Sequence, residues 1–126
     1  MYQSLDLFQV SAAMARHAGT RQAVVAENIA NADTPGFRAR ALGAFADSYR
    51  NDTAQAMRSS RAGHMSADAA AGPNRPTVTD DEPSPNGNSV SLETEMLRGV
   101  EVQREHSRAL AIYKHALVVL RTSLGR

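Results

Sequence analysis

The chain of 126 residues contains no cysteine and no tryptophan, and only three tyrosines and three phenylalanines. Without cysteine there is neither a disulfide nor thiolate chemistry, a composition compatible with any compartment. So few large rings leave little material for a compact hydrophobic centre, and the length allows one domain with a modest core. An excess of either charge is missing too. Fourteen basic residues against thirteen acidic ones give a net charge of +1, which implies no general attraction to nucleic acid. Long apolar runs are also absent. The start, Met1-Tyr2-Gln3-Ser4-Leu5-Asp6, has no basic segment, and Asp6, Gln9 and Arg16 interrupt any apolar run near it. A cleavable secretory signal and a membrane span are both disfavoured.

Site chemistry is equally scarce. His17, His64, His106 and His115 lack the close pairing of metal ligands, and no cysteine assists them. Asp80-Asp81-Glu82 has no calcium-loop spacing around it and reads as a solvated acidic turn. No serine sits in a nucleophile setting, and Gly36 and Gly87 belong to separate turns, not to a phosphate-cradling loop. Arg98, Arg104 and Arg108 alternate with glutamates, the pattern of a solvated helix face. The sequence shows no active site, and no metal or cofactor is expected.

What is present lies mostly at the two ends. Residues 4–31 carry no proline and read as one helix, with Ser4 as its N-cap and Asp6 in its first turn. A 3-4 spacing runs through Leu5, Phe8, Ala12, Ala15, Gly19, Gln22, Ala26 and Ile29, with a second stripe at Leu7, Met14, Ala18 and Val25. Charges are few on this helix, which points to contact with more than one neighbour. Pro35 removes a backbone donor and turns Thr34 away from helical dihedrals, and Gly36 accepts positive φ. Thr34-Pro35-Gly36-Phe37 therefore fits a type II turn. Asn28 and Asn31 stand one turn apart at the helix end, placed to bond local backbone.

Phe37 to Arg40 should be extended, and residues 41–60 are ambiguous: Leu42, Phe45 and Tyr49 share a helical face, but Gly43 and Asn51-Asp52-Thr53 weaken it. Four of the five prolines fall in residues 61–88, a segment too poor in apolar bulk to offset chain entropy. It should be disordered or extended, with room for a short strand at Thr77-Val78-Thr79. A second long helix starts after Ser91, an N-cap candidate, and runs to Leu124. Its expected seam is Leu92, Met96, Gly99, Gln103, His106, Leu110, Tyr113, Leu117, Leu120 and Leu124. Glu95–Arg98, Glu101–Arg104 and Glu105–Arg108 form i,i+3 pairs on the side expected to be exposed. From Ile112 to Leu120 this helix is apolar almost all round, more than one antiparallel partner could cover.

The run NIANADTPGFRAR at 28–40 resembles the N-terminal signature of flagellar rod and hook proteins, the axial subunits of the bacterial flagellum. The run GNSVSLETEM at 87–96, with a long helix after it, is similar to the C-terminal half of proximal rod proteins. The resemblance covers residues 1–42 and 83–126, and between them it is weak, mainly at Gly63-His64-Met65. Ser91 stands where an acidic residue is usual, and Ser89 where a second asparagine is usual. By this resemblance Asn28, Ile29, Ala30, Asn31, Thr34, Pro35, Gly36 and Phe37 set how the first helix meets neighbouring subunits.

The expected fold is mainly α, with long N- and C-terminal helices forming an antiparallel coiled-coil-like pair around a poorly ordered or extended proline-rich middle. Three segments result: 1–36 helix and turn, 37–90 connector, 91–126 helix, the two ends making one assembly domain. The resemblance implies a structural subunit of the proximal rod, self-assembling around an export channel and transmitting torque. Its implied partners are copies of itself, other rod proteins, ring or adaptor proteins of the basal body and the flagellar type III export apparatus. Nucleic acid is not among them. It also implies a place in the periplasm-spanning rod, reached without a cleaved signal. The rival reading is a helical coiled-coil adaptor or regulator in the cytoplasm.

Overall fold

The structure is a computed structural model that describes residues 2–49 and 75–125, with side chains from residue 6 onward. The side chain of Leu5 therefore lies outside the described residues, as do Asn51-Asp52-Thr53, Gly63-His64-Met65 and Pro73. Four elements run in chain order: α1 (Tyr2–Ala30), β1 (Arg40–Ala41), β2 (Thr77–Val78) and α2 (Leu92–Ser123). Residues 45–49 add a short helical turn. The long N- and C-terminal helices pack against each other, as expected for a mainly helical fold. Their antiparallel sense shows in the contacts. The Phe8 ring meets Tyr113 edge-on at 5.2 Å, Arg21 bonds Glu105 at 2.6 Å, and Val25 faces Gly99.

Helix starts and stops obey local chemistry. α2 begins where Ser91, in extended conformation, turns its hydroxyl to the Thr94 N–H at 3.5 Å. Glu93 and Glu95 occupy its first turn and Arg121 its last, each favourable to the helix dipole. It ends on Leu124 and Gly125, the glycine at φ 74°. α1 starts at Tyr2, so Ser4 lies inside the helix instead of capping it, and no acidic residue falls in the first turn.

Between the helices the buried positions recur every seven residues, at Ser11, Ala18 and Val25 on α1 and at Glu95, Val102, Ala109 and Ala116 on α2. That is a heptad seam whose most buried positions lie one residue before expected ones on both helices, although Phe8, Gly99 and Tyr113 of the expected seam do meet the opposite helix. Gly19, Gln22, Ala26 and Ile29 are exposed, as are Leu92, Met96, Leu110, Tyr113 and Leu124, while Leu117 and Leu120 are half-buried. Of the second stripe, Ala18 and Val25 turn inward and Met14 is half-buried, while Leu7 is exposed. The physical reason is size. Alanine and serine let the backbones approach closely around Val25, Glu95 and Val102, and most of the larger apolar side chains of α2 stay outside. A one-position shift turns a helix by about 100° at 3.6 residues per turn, enough to exchange a covered face for an open one.

The pair β1 and β2 is antiparallel, with Arg40 opposite Val78 and Ala41 opposite Thr77. Residues 75–90, part of the segment expected to be disordered or extended, form an extended stretch tied to the end of α1. The strand at Thr77–Val78 falls where the β-branched residues predict it.

Candidate assembly site

Everything around the end of α1 converges on two asparagines. Asn28 is fully buried. Its amide donates to the Arg40 carbonyl at 2.7 Å, and its Oδ1 accepts the Arg40 N–H at 3.1 Å. One side chain thus satisfies both polar groups of a β1 residue and fixes the strand to the helix. Asn31 stays local, its amide bonding the Glu27 carbonyl at 2.8 Å. Sequence reasoning placed both asparagines on local backbone, and it holds only for Asn31.

Asn88, 2% exposed, ties together more of the chain. Its amide donates to the carbonyls of Asn31, Ala32 and Thr34 at 2.9, 2.7 and 2.9 Å, and its Oδ1 accepts the Val90 N–H at 2.7 Å. The end of a helix leaves carbonyls without intrahelical donors, and α1 has no basic residue in its last turn. An amide more than 50 residues away in sequence supplies the donors. No local signal could reveal this partner.

The turns lock in the same way. Thr34-Pro35-Gly36-Phe37 closes with the Phe37 N–H on the Thr34 carbonyl at 3.3 Å, and Gly36 has φ 73°, as a type II turn requires at its third position. The Gly36 N–H then bonds the Asn86 carbonyl at 3.0 Å. Gly87, at φ 80°, sits so close that a Cβ there would lie 3.3 Å from the Gly36 Cα. The two glycine turns, separate in sequence, are stacked on each other. Ser89 completes the clasp: its N–H bonds the Phe37 carbonyl and its hydroxyl accepts the Ala39 N–H at 2.9 Å. The signature at 28–40 and the start of the signature at 87–96 are therefore two halves of one polar clasp. Thr34, Pro35 and Gly36 stand at its surface, with Ile29 and Ala30 also exposed and Phe37 half-buried.

Away from the clasp the helices carry their apolar groups outward. On α2, Leu97 is 69% exposed and Met96 60%, and Leu92, Val100, Leu110, Val118 and Val119 are also exposed. Val102 is the large apolar residue that this helix buries completely. A groove of about 580 Å³ runs between the helices on one face, lined by Val25, Ala26, Ile29, Ala30, Met96, Gly99 and Val100 with Gln22, Gln103 and Arg104 at its rim. A contiguous apolar surface of this kind marks an interaction site, where a lone exposed leucine would not.

Polar contacts between the helices depart from the sequence pattern. Glu105 pairs with Arg21 across the seam, not with Arg108 along its own helix. Glu95 does pair with Arg98, but it is buried, because its position is the one facing α1. His17 is buried against Phe45, with Ser48 Oγ 3.4 Å from its Nε2. Burial holds its pKa below the usual histidine value, and the Arg21 charge adds to this; Glu105 and the Gly43 backbone oppose it. Among the described residues no group of three acidic or histidine side chains converges to hold a metal, and no helix is long and apolar enough to cross a membrane.

Comparison with known proteins falls on the same residues. Residues 7–38 match the family described as flagella basal body rod protein. Over 118 residues the chain is 30% identical to the flagellar basal body rod protein FlgB of Agrobacterium fabrum, covering 89% of this chain and 87% of that protein.

Proposed function

This chain belongs to the flagellar basal body rod protein family and is a structural subunit of the bacterial flagellar basal body rod, and we propose that its clasped helix pair is the unit that packs into the rod. The family is structural, so the protein is not an enzyme, and it assembles with other flagellar components.

The finer reading is that it is a proximal rod subunit. Its neighbours are copies of itself, other rod proteins and basal-body ring or adaptor proteins. Together they enclose a central channel and transmit torque along the periplasm-spanning rod. The subunit reaches that place through the flagellar type III export apparatus without a cleaved signal. Segments 1–36 and 91–126 form one assembly domain, and 37–90 connects them. Within that domain Asn28 to Phe37 set the angle at which the first helix meets neighbours, and the apolar positions from Leu92 to Leu124 supply most of the covered surface.

The observation that carries this reading is the outward placement of the large apolar residues of α2, set against an inward seam of alanine, valine and a few polar groups. Moving such a side chain from water into an interface contributes roughly 1.5–3 kcal/mol when it is fully covered. The folded chain leaves that gain unrealised until neighbours arrive.

The test is deletion of residues 110–126, scored by rods in isolated basal bodies and by swimming. Loss of rods, with the shortened chain still expressed, supports the reading. Normal motility would remove it.

A further inference from the structure

The stacked turns of the clasp contain a reactive pair that the fold keeps from reacting. Six asparagines occur in the chain, and Asn86 is the one followed by glycine. The carbon of an asparagine side-chain amide can be attacked by the backbone nitrogen of the next residue. Glycine, with no Cβ, neither blocks that approach nor restricts the backbone that must turn to allow it. Asn86 is exposed, so water and base reach it.

In the folded chain both reacting groups are tied down. Ser84-Pro85-Asn86-Gly87 is a tight turn with proline at its second position, closed by the Gly87 N–H on the Ser84 carbonyl at 2.8 Å. The attacking nitrogen thus points its N–H at Ser84, and reaching the Asn86 Cγ means swinging away and opening the turn. The Asn86 side chain is held as well, its Oδ1 accepting the Asn88 N–H at 3.0 Å. On its main chain, the Asn86 carbonyl accepts the Gly36 N–H at 3.0 Å, so turning the Asn86–Gly87 peptide also breaks the contact between the two turns.

We propose that Asn86 is a spontaneous modification site, converted to isoaspartate while the chain is unfolded and shielded once the clasp closes. The Gly87 nitrogen gives its proton to a base and bonds to Asn86 Cγ. The bond from Cγ to Nδ2 breaks, and the side-chain nitrogen leaves as ammonia. Water then opens the resulting five-membered imide at one of two carbon–nitrogen bonds. Cleavage at Cγ gives aspartate on an ordinary backbone. Cleavage at the main-chain carbonyl carbon leaves the chain running through the side chain, which is isoaspartate. Either way one water is consumed and one ammonia released, with no oxidation or reduction.

The two products differ in what they do to the clasp. Aspartate keeps the carbonyl that takes the Gly36 N–H and an oxygen for the Asn88 N–H. Isoaspartate adds a backbone carbon between positions 86 and 87 and turns that main-chain carbonyl into a free carboxylate. Gly87 then loses the register that sets it against Gly36. Time spent unfolded is written into the chain as an irreversible loss of the clasp. This chemistry belongs to the free chain and holds whatever the chain assembles into.

The full chain would be incubated at mildly alkaline pH, once folded and once in urea, and isoaspartate at each asparagine measured by peptide mass spectrometry with electron-transfer fragmentation. In urea it should accumulate first at Asn86. In the folded chain the rate at Asn86 should fall at least about tenfold, since reaction then waits on opening of the clasp. Equal rates in the two conditions, or faster reaction in urea at another asparagine, overturn the proposal. Aged chains are then returned to native buffer beside the variant Asn86→Asp. Chains with isoaspartate at 86 should lose hydrogen-exchange protection at the Gly36 amide, and Asn86→Asp should keep it. Protection kept by both, or lost by both, would also overturn it.

Discussion

The clasp and the helix shaft are built on opposite principles. In the clasp, polar groups are buried and matched: Asn28 satisfies both backbone groups of Arg40, and Asn88 serves three carbonyls and one N–H. Along the shaft, the buried positions are alanine, valine and a few polar groups, while Leu92, Met96, Leu97, Val100, Leu110, Val118 and Val119 face outward. Hydrogen bonds are directional, so the clasp fixes the angle between the first helix and the returning chain. Apolar contact is not directional, so the shaft can accept neighbours over much of its circumference. In the proposed reading, one region sets geometry and the other supplies association surface.

Substitutions in the clasp should have the largest effect on folding. Asn88→Asp replaces the donor with a charge aimed at carbonyl oxygens and a helix C-terminus, and should cost roughly 3 kcal/mol or more. Asn28→Ala strands both backbone groups of Arg40 and should cost roughly 2 kcal/mol. Denaturant unfolding monitored by circular dichroism measures both. The glycines rank next. A Cβ at Gly36 meets nothing within 4 Å, so Gly36→Ala carries only the cost of left-handed backbone, about 1–2 kcal/mol. Gly87→Ala adds the 3.3 Å approach to Gly36 and should cost more in the same assay. Equal losses would mean the stacked turns do not need their closeness.

On the shaft the expectation reverses. Val100→Ser should change the free chain's stability by less than about 0.5 kcal/mol, yet reduce rod assembly in cells. Gly99→Ala should stabilise the free chain by roughly 0.5–1 kcal/mol, since its Cβ would meet Val25 at an ordinary 3.7 Å. The same methyl partly fills the groove, so assembly should weaken as stability rises. The smallest effect belongs to pH. His17 is neutral in the fold, so its contribution is intact above its ordinary pKa of 6.5 and is lost as pH falls through its lower folded value. The natural chain should lose stability in that window, and His17→Gln should lose less.

Much of this architecture was legible. Pro35 and Gly36 marked the turn, Ser91 the start of α2, and Thr77–Val78 the strand. The phase of the seam was not, for a physical reason. Periodicity reports where large apolar residues stand, and here Met96 and Leu110 stand where the free chain is uncovered. Alanines at 18, 109 and 116 carry the inner seam and give almost no hydrophobic signal. Glu95 read as half of a surface pair because nothing local marks position 95 as facing α1. The bonds of Asn88 to the end of α1 were invisible because they close a loop of more than 50 residues.

Hydrogen exchange, measured on the free chain and on intact rods, tests this division most directly. Backbone amides of the clasp, notably Arg40, Gly36 and Val90, should be protected in both. Amides of α2 from Leu110 to Leu120 should exchange readily in the free chain and become protected only in the rod. Full protection of α2 in the free chain, or a clasp that exchanges faster than the shaft, would contradict it.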